Sequence, residues 1–174
     1  MEHNREKKEI SEQKLFAKEK RFMKEAISEA QIAASEGEVP IGAVIVQDNK
    51  IIAKAHNLVE SLSYSSAHAE IIAIKRAEQF LGSKWLSGCE MYVTLEPCSM
   101  CAGAIILARI DRIYIGAMDP KNGACGSVYN ILQNDRLNHR VEVKTEVLSA
   151  LCGNILTDFF KEIRKKKKKK SKED

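Results

Sequence analysis

Ala67-His68-Ala69-Glu70-Ile71 and Pro97-Cys98-Ser99-Met100-Cys101 are the two stretches from which the fold and chemistry of this chain can be predicted. Together they supply one imidazole and two thiols, which are candidate metal ligands, and one carboxylate beside them. Structural zinc sites usually have four protein ligands, whereas catalytic sites use three and leave the fourth position to water. Three ligands beside an acid therefore indicate a catalytic metal site.

Both stretches are predicted to begin helices. Cys98 and Cys101 are three residues apart, so in a first helical turn their side chains share a face. The positive helix end favours thiolates, which bind metal, and Pro97 suits this position because the first helical N–H has no partner within the helix. His68 and Glu70 diverge by about 200° inside a helix. At its leading edge, however, one can bind a metal while the other flanks the open position.

Hydrophobic periodicity predicts the remaining elements. The predicted helices are residues 22–36, 67–80, 99–108, 128–133 and 148–165, and the predicted strands are residues 41–46, 51–55, 90–95, 112–116 and 141–147. Helices alternating with strands predict a mainly parallel sheet covered on both faces, with one antiparallel hairpin at its start. Helix 99–108 is expected to be buried nearly all round, and residues 60–66 and 117–127 are expected to be loops.

Composition predicts one globular domain, with 44% hydrophobic and 30% charged residues. We divide the chain into a charged extension (1–20, a frayed helix or a disordered tail), a domain (21–164) and a basic tail (165–174). The last 14 residues hold nine Lys or Arg residues against three acids. This tail is either a solvated, disordered segment or an electrostatic arm for a polyanion. The sequence has no membrane span and no signal peptide, which predicts a cytoplasmic protein with reduced cysteines.

The cysteines admit other roles. A redox Cys-x-x-Cys pair usually lacks the accompanying His-x-Glu. A closed structural zinc site needs a fourth ligand, for which Cys89, Cys125 and His56 are candidates. Cys152 is expected in the core, and His139 at the surface or as a capping residue.

The open site predicts a reaction class. Two thiolates and one neutral imidazole cancel the charge of Zn²⁺, one ion per subunit, and leave a position for water whose pKa falls towards neutrality. Glu70 can then take the proton of that water and pass it to a ring nitrogen and to the departing amine. The predicted reaction is hydrolytic deamination of an aromatic amine.

The second stretch, extended from Val93 to Ala104, closely resembles the bacterial tRNA-specific adenosine deaminases. Its pairing with His-x-Glu is the general signature of zinc-dependent nucleobase deaminases. The resemblance runs from about Phe22 to Arg164 and includes residues 38–44, 116–121, 138–141 and 158–160. It implies a three-layer α/β/α cytidine-deaminase-like fold with a five-stranded mixed sheet. It also implies a homodimer that converts adenosine to inosine at the wobble position of a tRNA anticodon, typically that of an arginine tRNA.

The resemblance also implies roles for individual residues. His68, Cys98 and Cys101 would bind zinc, and Glu70 would shuttle protons. Asn57 matches an asparagine that hydrogen-bonds the flipped base. The other residues implied to contact substrate are Ala69, Pro97, Asp119, Lys121, Asn122, Phe159, Phe160 and Arg164. Met118 stands where relatives usually have Arg or Lys, so a contact is missing there or is supplied by Lys121.

Two other functions remain open on the sequence. A metabolic deaminase of free guanine or cytosine-type bases or nucleosides would use nearly the same zinc chemistry, but it would not need a basic tail. A non-catalytic, zinc-containing RNA-binding subunit would have no use for Glu70.

Overall fold

The structure, a computed structural model, describes residues 2–170 of the 174-residue chain. Within that range no helix is both long and apolar enough to cross a membrane. The helices are α1 (Glu2–Ser35), α2 (Val59–Leu62), α3 (Ala69–Leu81), α4 (Ser99–Leu107) and α5 (Ser149–Lys170). The strands are β1 (Gly42–Gln47), β2 (Lys50–His56), β3 (Cys89–Leu95), β4 (Arg112–Ala117) and β5 (Glu142–Lys144).

The five strands form one mixed sheet in the order β2-β1-β3-β4-β5, which confirms the predicted five-stranded mixed sheet. The expectation of a mainly parallel sheet is wrong, because β1 is antiparallel to both β2 and β3, and only the pairs β3–β4 and β4–β5 are parallel. The cause is the crossover through α3, which carries the chain past β1 and pairs β3 with the far side of β1.

Alternating side chains of the central strands build a core on each face of the sheet, as the period of two in a strand requires. The residues packed with α3 and α4 are Ala43, Ile45, Met91, Val93, Ile113 and Ile115. Those packed with α1 and α5 are Val44, Val46, Tyr92 and Tyr114. Cys152 of α5 is buried in the same cluster, which confirms its expected core position. Helices therefore cover both faces, and the three-layer α/β/α architecture is confirmed.

The first helix is longer than predicted. It begins at Glu2 rather than near Phe22. Of the two alternatives expected for the charged extension, a helix or a disordered tail, residues 2–20 are therefore helical. Glu, Lys and Arg are good helix formers, and ion pairs join the helix to the sheet: Lys18–Glu90 at 2.8 Å and Lys144–Glu19 at 2.7 Å. At the other end α5 continues through Lys170, and residues 171–174 of the predicted tail lie outside the described residues.

Four local predictions are corrected by the structure. Residues 128–133 form no helix, because their backbone N–H groups bond to a preceding loop; for example, Ile131 N donates to Ala124 O at 2.9 Å. The predicted loop 60–66 contains the last residues of the single-turn helix α2. The predicted strand 141–147 shortens to β5. Helix α4 is not buried all round, because Leu107 is 80% exposed.

Candidate active site

His68 and Glu70 lie at the N-terminal end of α3, as predicted. His68 immediately precedes the helix with an extended backbone (φ −74°, ψ 150°), and Glu70 is in its first turn. Because His68 has not yet entered the helical path, both side chains reach one cavity despite their spacing of two residues.

Cys98 and Cys101 occupy the equivalent place on α4. Cys98 precedes the helix with an extended backbone (φ −72°, ψ 175°), and Cys101 lies in the first turn, fully buried. Both halves of the sequence signature therefore sit at helix starts, where free N–H groups and the helix dipole favour negatively charged ligands.

The three candidate ligands converge on a point. The Nδ1 atom of His68 lies 3.7 Å from Cys98 Sγ and 3.5 Å from Cys101 Sγ, and all three atoms are within 4.8 Å of one another. A tetrahedral zinc ion with bonds of about 2.3 Å to sulfur and about 2.0–2.1 Å to nitrogen separates such atoms by about 3.6 Å. The donor set and its spacing therefore fit zinc.

A fourth protein ligand is not found in the part of the chain that the structure describes. Among residues 2–170, His68, Cys98 and Cys101 form the only group of three or more His, Cys, Asp or Glu residues whose ligand atoms lie close enough together to hold a metal ion. The imidazole of His56 instead bonds to Glu29 at 2.9 Å and Glu36 at 3.1 Å. Cys125, one of the other two proposed fourth ligands, lies with its Sγ 3.8 Å from the carbonyl oxygen of Pro97. The geometry is that of an open site, so the closed structural site is not supported.

Glu70 is placed to handle protons. Its side chain is 3% exposed, and among residues 2–170 its Oε2 atom has no hydrogen-bond partner. A buried, unpartnered carboxylate oxygen is costly unless a water or a ligand joins it. Burial raises the pKa of Glu70. A hydrogen bond from its own backbone N–H and the electrostatic effect of the nearby His68 oppose that shift without reversing it. A buried acid with a raised pKa beside a metal-ligand triad is typical of a general acid–base residue.

The two thiols have unequal acidity. Hydrogen bonds with Cys101 and His68 lower the pKa of Cys98 to about 4, although burial opposes that shift. The hydrogen bond with Cys98 and burial raise the pKa of Cys101. The charge of a bound zinc ion deprotonates a coordinating thiol outright.

A cavity of about 650 Å³ opens above the triad. Its wall includes most of the residues implied by the family resemblance: Asn57, His68, Glu70, Cys98, Asp119, Lys121, Asn122 and Phe160. Sequence reasoning missed several others: Val39, Ile41, Val59, Glu60, Leu95, Glu96 and Leu156. Met118, noted above as a departure from the family pattern, also lines the wall, so the side chain there is apolar. The cavity is thus mainly apolar with polar groups at its floor and rim, as small-molecule sites usually are.

Four predicted substrate residues lie off this wall. Ala69 and Pro97 are buried in the turns that carry the ligands. Arg164 lines an adjoining hollow that shares Lys121 and Phe160 with the main cavity. Phe159 points instead into a separate groove between α1 and α5, beside Ala34 and Ile163, because adjacent helical residues point about 100° apart.

Asn57 is held by a buried acid that sequence reasoning missed. Its Nδ2 donates to Glu38 Oε2 at 3.1 Å, and Glu38 also accepts from Ser61 N at 2.6 Å and Glu60 N at 3.2 Å. Burial alone would raise the pKa of Glu38, but these hydrogen bonds outweigh it and lower the pKa. An ionised Glu38 accepts only, so it fixes the amide orientation of Asn57. The motif Glu38-Val39-Pro40 was the only sequence signal for this pair.

His139, expected at the surface or as a cap, is partly buried, and its Nε2 contacts the carbonyl oxygen of Ile110 at 2.7 Å. It therefore caps a backbone group in the turn that precedes β4 and does not belong to the metal cluster.

Comparisons with known proteins agree with this geometry. Residues 17–164 match the family model of the MafB19-like deaminases. A tRNA-specific adenosine deaminase of Bacillus subtilis is 53% identical over 84% of this chain and 91% of its own length. That of Aquifex aeolicus is 49% identical over 82% and 94%. A solved structure from a study of A-to-I editing by tRNA:A34 deaminases at the wobble position of transfer RNA is 43% identical, with a TM-score of 0.76, over 78% of this chain and 99% of that one.

Proposed function

The chain belongs to the family of the tRNA-specific adenosine deaminases, and from that premise we propose that it converts the wobble adenosine of a tRNA anticodon to inosine. The observation that carries the proposal is an open three-ligand cluster at the floor of a cavity, beside the buried Glu70, whose Oε2 atom has no hydrogen-bond partner among residues 2–170. Adenosine deamination needs this combination, because a water must be activated and its proton must reach the leaving amine.

We propose that His68, Cys98 and Cys101 hold one Zn²⁺ per subunit. Zinc, when bound there, lowers the pKa of a coordinated water towards neutrality. Glu70 takes a proton from the attacking water and delivers it to the ring nitrogen beside the reacting carbon. Glu70 then takes the remaining proton of the hydroxyl added at C6 and gives it to the exocyclic amine. The bond between C6 and the exocyclic nitrogen breaks, C6 keeps the oxygen as a carbonyl, and ammonia leaves. One adenosine and one water yield one inosine and one ammonia.

The cavity supports a flipped purine as the substrate. Ile41, Leu95 and Leu156 offer apolar contact to a base, and Asn57 keeps its carbonyl oxygen for a base edge because Glu38 accepts from its amide. Anticodon-loop bases are single-stranded, so they can enter such a pocket at a low unstacking cost. Lys121 and Asn122 lie on the rim, where the flanking nucleotides would pass.

A direct substrate comparison tests this function. The zinc-loaded protein is incubated separately with an anticodon stem-loop carrying a wobble adenosine, with free adenosine, and with free guanine and cytosine. We expect turnover of the stem-loop to exceed that of every free compound. Faster turnover of a free base or nucleoside would support the metabolic deaminase instead, and no turnover of any substrate would support the non-catalytic RNA-binding subunit.

The two adjacent phenylalanines give a prediction that separates binding from stability. Phe160 lines the cavity and is 41% exposed, whereas Phe159 lies in the groove beside α1. Phe160→Ala is expected to weaken stem-loop binding by about 1–3 kcal/mol through reduced base stacking, with little change in melting temperature. Phe159→Ala, the matched control, should lower the melting temperature and leave binding nearly unchanged. Fluorescence anisotropy and thermal melting measure the two effects, and equal losses of binding would contradict this assignment.

The basic end of α5 gives a second prediction. The helix runs unbroken from Phe160 into the lysine run, which supports a phosphate-binding arm. Replacing Lys166, Lys167, Lys168 and Lys169 by glutamine keeps the helix and is expected to weaken RNA binding. The slope of log affinity against log salt should fall by about 0.7 for each RNA phosphate that the variant no longer neutralises. Glutamine at the exposed Lys50 and Lys75 is the control, and an unchanged slope in the quadruple variant would leave the run as a solubility feature.

We further propose a cytoplasmic homodimer that edits an arginine tRNA, as the resemblance implies. Reduced thiol ligands suit a reducing compartment. Exposed apolar side chains on and beside α3 and α4 support a subunit interface, since Leu107 is 80% and Phe80 68% exposed. Sedimentation equilibrium distinguishes a dimer from a monomer.

A further inference from the structure

The Glu96 carboxylate lies at the centre of the loop that forms one wall of the cavity. Glu96 directly precedes Pro97 and Cys98, and its side chain hydrogen-bonds to residues 119, 125 and 127. It is 3% exposed. Its partners are 23 to 31 residues away in sequence.

Four donors converge on this carboxylate. Oε2 accepts from Asp119 N at 2.9 Å, and Oε1 accepts from Cys125 N at 2.9 Å and Ser127 N at 3.0 Å. The hydroxyl of Ser127 also donates to Oε2. The loop thus folds around one anion, because three of its backbone N–H groups and one side chain have Glu96 as their acceptor.

Gly123 closes the other side of the carboxylate. A Cβ atom built on Gly123 would overlap Glu96 Oε2, so no larger residue fits without moving the loop or the acid. The backbone of this segment also pairs with the metal-binding turn: Gly123 bridges Cys98, and Ala124 N donates to Pro97 O at 2.9 Å. The 118–127 loop is therefore joined to the ligand turn through its own backbone as well as through the Glu96 carboxylate.

The loop bonded to Glu96 also carries three residues of the cavity wall. Asp119 Oδ1 accepts from Lys121 N at 2.9 Å and Asn122 N at 3.2 Å, and all three residues line the cavity. A shift of Asp119 therefore moves the other two with it. Since Asp119 N donates to Glu96, the position of these three residues relative to the metal-ligand triad depends on the Glu96 carboxylate.

We propose that Glu96 is a positioning residue for substrate binding, a buried clamp that fixes the 118–127 loop against the zinc-ligand turn so that Asp119, Lys121 and Asn122 meet the RNA. Glu96 is not a member of the metal-ligand triad, and four donors of the loop bond to its carboxylate. The proposal rests on the proposed function only for the identity of the substrate.

The test combines kinetics with hydrogen exchange on the full-length, zinc-loaded protein. Glu96→Gln keeps the side-chain size but replaces one acceptor oxygen by a donor facing the N–H groups. Removing hydrogen bonds to a charged group predicts a rise in KM for the stem-loop of about tenfold or more, with zinc content unchanged and kcat much less affected. Exchange of the amides in residues 118–127 should accelerate. Gly123→Ala disturbs the same clamp from its other side and should give the same pattern.

Glu19→Gln is the matched control. Glu19 is equally buried, at 1% exposure, but it pairs with Lys144 far from the cavity lining. Its replacement should leave KM and loop exchange unchanged. Unchanged exchange in Glu96→Gln, an unchanged KM, or loss of zinc would each overturn the clamp as proposed. A wild-type protein that makes no inosine, with the exchange difference intact, would count against the proposed function and still support the clamp.

Discussion

Glu70→Ala is expected to reduce kcat for inosine formation by about 10³–10⁴-fold while the protein keeps its zinc. General acid–base residues contribute about 10²–10⁴ in rate, and we expect the upper part of that range because Glu70 is assigned more than one proton transfer. Glu70 is not one of the three clustered metal-binding atoms, which is why metal content should be unaffected. Inosine release from the stem-loop and metal analysis of the same sample measure the two quantities.

Stability gives this prediction an independent readout. Burial raises the pKa of Glu70 in the folded state. The folded state then binds more protons than the unfolded chain, so stability falls as pH rises above the unfolded pKa. At neutral pH the metal-free Glu70→Gln variant should therefore melt no lower than the metal-free wild type. Glu78→Gln, on the same helix, is the control and should keep full activity. Loss of zinc or of folding in the Glu70 variants would show that the assigned role is wrong.

Cys101→Ser is expected to abolish both zinc binding and deamination. A sulfur-to-oxygen change removes one of only three protein ligands, and serine is not deprotonated at neutral pH. Zinc binds the folded state, so its loss also lowers the free energy of unfolding, by about 4 kcal/mol for a metal present at a thousand times its dissociation constant. Metal analysis, the stem-loop assay and thermal melting measure these losses.

Cys89→Ser is the matched control, because Cys89 is equally buried in β3 but lies outside the cluster. It should keep one zinc per subunit and full activity. Treating the wild type with a strong chelator should reproduce the Cys101→Ser losses, and adding zinc should restore the wild type only. A Cys101→Ser protein that kept its zinc would contradict the ligand assignment.

The elements that carry the candidate metal ligands were predictable because their signals are local. Cys98 and Cys101 at helical spacing after Pro97, and His68 just before an amphipathic helix, already indicated two helix starts. The strands β1, β3 and β4 were equally predictable from β-branched and apolar runs. These features need no knowledge of distant contacts, since spacing and backbone chemistry determine them.

The features that could not be predicted from the sequence depend on contacts between residues far apart in the chain. The roles of Glu38 and Glu96 are set by partners 19 to 31 residues away, in segments without periodicity. The short helix predicted at 128–133 is absent for the same reason, because the N–H groups of Val128, Tyr129 and Ile131 bond to carbonyl oxygens of the preceding loop. The rotation of α5 about its axis decides whether Phe159 or Phe160 faces the cavity. The sequence does not reveal that rotation, because the two neighbouring residues are identical. The pairing of β3 with β1 required the crossover path of α3.

The most direct measurement follows a stem-loop with a wobble adenosine, treated with zinc-loaded enzyme in oxygen-isotope-labelled water and analysed by mass spectrometry. We predict inosine at the wobble position only, with the labelled oxygen in its base and an equal amount of ammonia released. No inosine, inosine at other adenosines, or inosine without the label would contradict hydrolytic deamination of the wobble base at this site.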